Sequence, residues 1–147
     1  MTIDVFTIGF TKTTAEHFFE RVKKSNTSIV IDVRLNNTSQ LAAFAKAKDL
    51  KFFLKTICNV DYLHQPILAP TQDILTEFKK NKGDWSVYKT QFLNLMANRK
   101  IENQIKPDLL NHSCLLCSED KPHHCHRSLV CDYLNLKWGS ELSVSHL

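Results

Sequence analysis

Apolar and polar positions along the 147-residue chain change period several times. Residues 4–8 (DVFTI) read as a first strand, closed by a turn over 9–12. Thr13 stands three residues ahead of Glu16, the capping-box spacing. Phe18, Phe19 and Val22 then share one helical face, so a helix is predicted over 14–24. Residues 28–34 (SIVIDVR) are a continuous β-branched run, as expected of a strand covered on both faces of a parallel sheet, and are predicted to be the central strand. A polar stretch over 35–40 leads into a second helical pattern through Leu50, Phe53, Leu54 and Ile57. Residues 61–64 (DYLH) form a short strand ended by Pro66, which cannot donate to a ladder. Thr71 and Asp84 are predicted caps of two more helices, the second carrying Trp85, Tyr88, Phe92, Leu95 and Met96. Residues 113–118 return to strand, and Pro122 can open a helix with Leu129, Val130, Tyr133 and Leu134 on its apolar face. Residues 141–146 are predicted as a last edge strand.

Strands separated by helical crossovers imply parallel neighbours, because tight turns cannot join them. The expected fold is therefore a single domain over 1–147, a three-layer α/β/α sandwich around a mostly parallel, Rossmann-like sheet of about five strands. In such a sheet ligands bind where the carboxyl ends of the strands open into loops.

Composition narrows the class. Hydrophobic residues are 43% and charged residues 23% of the chain, which excludes disordered and collagen-like architectures. No apolar run approaches the roughly 18 to 20 residues that cross a bilayer, so no membrane partner is expected. The first residues lack the basic and apolar regions of a secretory signal, which makes the cytoplasm the expected compartment. Nineteen Lys and Arg against fifteen Asp and Glu leave +4, a balance that permits an anionic ligand without demanding one. Lys23, Lys24, Lys79, Lys80 and Lys82 keep a nucleic-acid-associated module open as an alternative.

The predicted strand ends carry Gly9 and Thr11, then Asp32 and Arg34, then His64, then Cys117 and Glu119. The fourth crossover is the densest, with two thiols, three imidazoles, two carboxylates and a guanidinium within 117–128. A helix opening near Pro122 or His123 would place Cys125, His126 and Arg127 in its first turns, where free amides and the dipole favour an anion or a thiolate. Of the five cysteines, Cys58, Cys114 and Cys131 are expected in the core, as small hydrophobes. His17 and His146 are expected to be ordinary surface or packing residues.

Three motifs are tested by spacing. A phosphatase loop needs an arginine six positions after its cysteine, but Cys131 follows Cys125 and His123 follows Cys117 at that distance. A sulfur transferase of the rhodanese type shares Ile31-Asp32-Val33-Arg34, yet no short cysteine loop ending in arginine follows. Zinc has four soft ligands in Cys114, Cys117, Cys125 and one of His123, His124 or His126. Residues three apart on a strand face opposite sides, however, which sets Cys114 against Cys117. No cofactor is expected, with zinc as the alternative.

Thr7-Ile8-Gly9-Phe10-Thr11, Val30-Ile31-Asp32-Val33-Arg34, Tyr62-Leu63-His64, Leu115-Leu116-Cys117-Ser118-Glu119 and Cys125-His126-Arg127-Ser128 follow one another along nearly the whole chain. In this order they resemble the family known as domain of unknown function 488. The resemblance implies a compact α/β sandwich and a pocket shared by Gly9, Asp32, Arg34, Cys117, Glu119, Cys125, His126 and Arg127, but no established activity. The chain departs from the family pattern over 35–43, which is neutral and polar where proline and basic residues usually follow Asp-Val-Arg.

The expected function is a protein with an anion-binding pocket and thiol chemistry, as in a hydrolase or transferase acting on a phosphate- or nucleotide-like substrate. Arg34, Arg127 and helix-start amides would hold the anion, with Gly9, Thr11, Asp32 and His64 completing the binding site. Cys117 or Cys125 would act as the thiolate, and Glu119 or His126 would transfer protons. A zinc-binding structural domain is a further alternative. So is an Arg34 ion pair with Asp32 or Glu119 that only orders the loops.

Overall fold

The computed structural model describes residues 2–38, 43–80, 82–119 and 125–147. Five strands, β1 (Ile3–Gly9), β2 (Ile29–Asp32), β3 (Asp61–His64), β4 (Ser113–Cys117) and β5 (Leu142–His146), pair in parallel in the order β3-β2-β4-β1-β5. On one face lie α1 (Ala15–Lys24) and α2 (Ala47–Phe53), the latter continuing into a π-helical turn over Leu54–Cys58. The other face carries α3 (Gln72–Lys80), α4 (Trp85–Arg99), the short α5 (Ile101–Gln104) and α6 (Pro107–Leu110), and α7 (His126–Lys137). This is the expected three-layer sandwich.

Alternation along the strands fills both cores. Ile31, Val33, Leu115 and Cys117 face the layer of α4 and α7, whereas Val30, Cys114 and Leu116 face that of α1 and α2. Cys114 and Cys131 are buried as expected, but Cys58 is only half-buried, its thiol donating to the Phe19 carbonyl at 3.6 Å.

Three local expectations are corrected. The central strand is β4, not β2: all five β4 residues are buried, and β4 runs between β1 and β2. A β-branched run reports coverage on both faces, which an off-centre strand in a parallel sheet shares. The cap of α1 is Thr14, whose hydroxyl accepts from the His17 amide at 3.1 Å, one residue beyond the expected Thr13. Ile57 is 43% exposed because the wider π-helical turn rotates it off the apolar face of α2. Thr71 and Asp84 do accept amide hydrogen bonds at the starts of α3 and α4.

The helices after β1 and β2 lie on one face and the helix after β4 lies on the other, so connections diverge on both sides of β4. A crevice therefore opens outside its carboxyl end, where Cys117 stands. The lysine pairs Lys23–Lys24 and Lys79–Lys80 end α1 and α3, where they complement the helix dipoles on opposite layers. Among the described residues no helix is long and apolar enough to cross a membrane.

Candidate functional site

At the tip of β2 the fully buried Asp32 carboxylate is saturated with donors. It accepts from the Arg34 amide at 3.1 Å, from Arg34 Nε at 2.8 Å and Nη2 at 2.7 Å, and from the Tyr62 hydroxyl at 2.5 Å. Two parallel guanidinium bonds make this a bidentate pair. Arg34 Nη2 also donates to the Ala45 carbonyl at 2.7 Å, and the guanidinium carbon lies 5.1 Å from the centre of the Phe10 ring. His64 Nε2 donates to the Arg34 carbonyl at 2.8 Å. Burial, followed by the bond to Asp32, pushes the Tyr62 phenol up from its ordinary value. Asp32, Arg34 and His64 therefore meet as expected. Tyr62 joins them; the sequence marked it only within Tyr62-Leu63-His64 and gave it no site role, because its partner lies thirty residues away.

The ends of β1 and β4 are laced together. The Phe10 and Thr11 amides donate to the Ser118 carbonyl at 3.4 and 3.1 Å. The Glu119 carbonyl passes so close over Gly9 that a Cβ there would overlap it, and Arg127 Nη1, donating to the same carbonyl, lies just beyond. Gly9 is thus required by close approach of backbone. Arg127 is buried and spends this contact on the loop backbone.

Cys117 closes β4 and Cys125 caps α7. Cys125 has extended backbone, φ −133° and ψ 138°, so the described helix begins at His126 and Cys125 stands before its first turn, not within it. The expected opening near Pro122 or His123 lies outside the described residues. His126 Nε2 donates to the Val33 carbonyl at 2.7 Å and turns Nδ1 toward Cys117 Sγ, 3.6 Å away. The Cys117 thiol is held well below its ordinary range. A hydrogen bond from Cys125 is the largest cause, opposed by burial and reinforced by His126 and the Glu119 amide. Cys125 is pushed up by the same bond, by burial and by the charge on Cys117. For His126 burial favours the neutral form, but the Cys117 charge and the bonds to Cys117 and Val33 outweigh it and raise its pKa. The donor atoms of Cys117, Cys125 and His126 lie within 4.8 Å of one another, a set able to hold a soft metal ion. Cys114 faces the opposite core, and His123 and His124 lie outside the described residues.

A cavity of about 350 Å³ opens over this cluster. Arg34, Cys117, Glu119, Cys125 and His126 line it, with Leu75, Phe78, Trp85 and Tyr88 forming an apolar wall and Lys79 among the lining residues. Trp85 and Tyr88 stack with centroids 4.9 Å apart and 17° between planes. Gly9, Thr11, Asp32, His64 and Arg127 do not line this cavity; they bind the backbone and side chains behind it. The aromatic wall was legible only as an apolar helix face, since spacing alone does not tell a core side from a cavity side.

Residues 14–134 match the model of the family described as Domain of unknown function DUF488. The chain belongs to that family. The DUF488 match includes every cavity residue named above, whereas Gly9 and Thr11 precede it and β5 follows it. No curated protein and no solved structure matches the chain.

Proposed function

We propose that the cavity binds a small anionic molecule and that Cys117 attacks it as a thiolate, making the protein a thiol-dependent transferase or hydrolase. The observation that carries this reading is the contact between Cys117 Sγ and His126 Nδ1 inside the cavity, with the ring turned by the Val33 carbonyl. A thiolate beside an imidazolium is the nucleophilic form of cysteine, and the imidazolium can hand its proton to a leaving group. Arg34 and Lys79 supply positive charge, and Phe78, Trp85 and Tyr88 suit a planar, nucleotide-like portion of the ligand. Glu119 is exposed at the cavity and is the carboxylate available to exchange a proton with solvent. Asp32, His64, Tyr62 and Arg127 position the loops that carry Arg34 and Glu119, the Phe10 and Thr11 amides hold the Ser118 carbonyl, and Gly9 leaves room for that of Glu119.

The test is the thiolate ultraviolet absorbance of the protein against pH, compared with a Cys117→Ser variant. At pH 6 a free thiol with pKa near 8.5 is only about 0.3% ionised. A Cys117-dependent thiolate signal at that pH supports the reading, and a Cys117 that titrates like a free thiol overturns it. A structural zinc is the competing reading, favoured by the grouping of Cys117, Cys125 and His126. One zinc per chain in protein purified without added metal would establish it in place of thiol chemistry.

A further inference from the structure

Beneath the cavity lie two thiols, where a hydrolytic nucleophile needs one. Cys117 and Cys125 both line it, both are almost fully buried, and their sulfur atoms lie within 4.8 Å of each other. In attack on a carbonyl or phosphoryl group, a second thiol beside the nucleophile takes no part in making or breaking bonds. In thiol–disulfide exchange it has a defined one, because a mixed disulfide on the first sulfur is resolved by a neighbouring thiol. None of the five cysteines is joined in a disulfide in this structure.

We infer that Cys117 and Cys125 form a dithiol–disulfide couple, with Cys117 attacking and Cys125 resolving, and that the substrate is a small disulfide with an anionic arm. This rests on the proposed reading of Cys117 as a nucleophile in an anion-binding cavity. The cavity volume of about 350 Å³ and its aromatic wall are far larger and more apolar than hydrogen peroxide requires, which favours sulfur over peroxide oxygen as the electrophile.

The exchange balances in two steps. Cys117 S⁻ attacks one sulfur of R–S–S–R′, forming the Cys117–S–S–R bond and expelling R′–S⁻, which takes the proton of the His126 imidazolium. Neutral His126, its Nε2–H still on Val33, then accepts the Cys125 proton at Nδ1. The Cys125 thiolate attacks Cys117 Sγ, and R–S⁻ leaves with that proton. The protein dithiol loses two electrons to become a disulfide, and the substrate disulfide gains them to become two thiols. A second, small cellular thiol must return the protein to the dithiol.

The experiment treats the full chain with glutathione disulfide, with neutral bis(2-hydroxyethyl) disulfide and with hydrogen peroxide, and follows products by intact mass and peptide mapping under non-reducing conditions. The expected result is a Cys117–Cys125 disulfide in the wild type and a stable glutathione adduct on Cys117 in Cys125→Ser. Glutathione disulfide should react at least tenfold faster than the neutral disulfide. A stable Cys117 adduct in the wild type, a disulfide joining other cysteines, faster oxidation by peroxide, or equal rates for the charged and neutral disulfides would overturn the inference. Mapping the wild type needs no substitution, so the result does not depend on the variant folding. A Cys117 thiolate seen by absorbance with no Cys117–Cys125 disulfide defeats this inference alone; an un-ionised Cys117 defeats the reading beneath it.

Discussion

The backbone carbonyl of Val33 fixes the tautomer of His126: it accepts Nε2–H at 2.7 Å across 93 positions of sequence, leaving Nδ1 to face Cys117 Sγ at 3.6 Å. The ring can then exchange a proton with sulfur only through Nδ1. Replacing His126 by Gln removes the partner charge while keeping a donor. We expect the Cys117 titration to move back toward the ordinary thiol value of about 8.5, with thiolate at pH 6 falling at least tenfold. Thiolate absorbance of the variant against wild type checks this.

Asp32 and Arg34 should dominate the stability of the site. Asp32→Asn leaves the buried guanidinium without its counter-charge, for which a cost of about 3–5 kcal/mol is typical. Tyr62→Phe removes a single hydrogen bond to the same carboxylate and should cost about 1.5–3 kcal/mol. Urea unfolding of both variants tests the order, which would reverse if Arg34 found a replacement partner.

At Gly9 even a methyl group meets backbone. Gly9→Ala must displace the Glu119 carbonyl and with it the Arg127 contact, so a loss of about 1–3 kcal/mol or more is expected. The displaced loop also carries the Glu119 amide that helps hold the Cys117 thiolate, so the thiol should titrate higher. Unfolding by heat and the thiolate absorbance should report both changes in one variant.

The ionised cluster links stability to pH in a predictable sense. Cys117 is lowered, so its contribution is fully present above the ordinary thiol value of about 8.5 and is lost as pH falls through its folded value. His126 is raised, so its contribution is fully present below about 6.5 and is lost as pH rises through its folded value. These slopes oppose each other where their ranges overlap. Below about pH 6.5 the His126 contribution is constant, so the stability difference between wild type and Cys117→Ser should fall as pH drops from there through the folded value of Cys117. A difference that grows toward acid pH in urea titrations would contradict the lowered Cys117.

Much of the architecture was legible because its determinants are local. Strand runs at 4–8 and 61–64, caps at Thr71 and Asp84 and the apolar face of α7 rest on periodicity and short-range hydrogen bonding, which neighbours in sequence specify. The strand-end rule named Arg34, Cys117 and Glu119 and the crowded crossover after β4 named Cys125 and His126, all of which line one cavity, whereas Gly9, Thr11, Asp32 and His64, named by the same rule, do not. Strand order was not legible: β2 and β4 are both covered on two faces, and only their pairing partners make β4 central.

By itself the amino-acid sequence determined the alternating α/β order, the facing of Cys114 away from Cys117, and which residue types crowd the end of β4. Only the tertiary structure decided their division of labour. It committed Asp32 to Arg34 and Tyr62, Arg127 to the Glu119 backbone, His126 to Val33, and the aromatic side of α4 to the cavity. The reason is range: a hydrogen bond or a desolvated charge depends on what arrives from distant segments, and a local pattern carries no record of that partner.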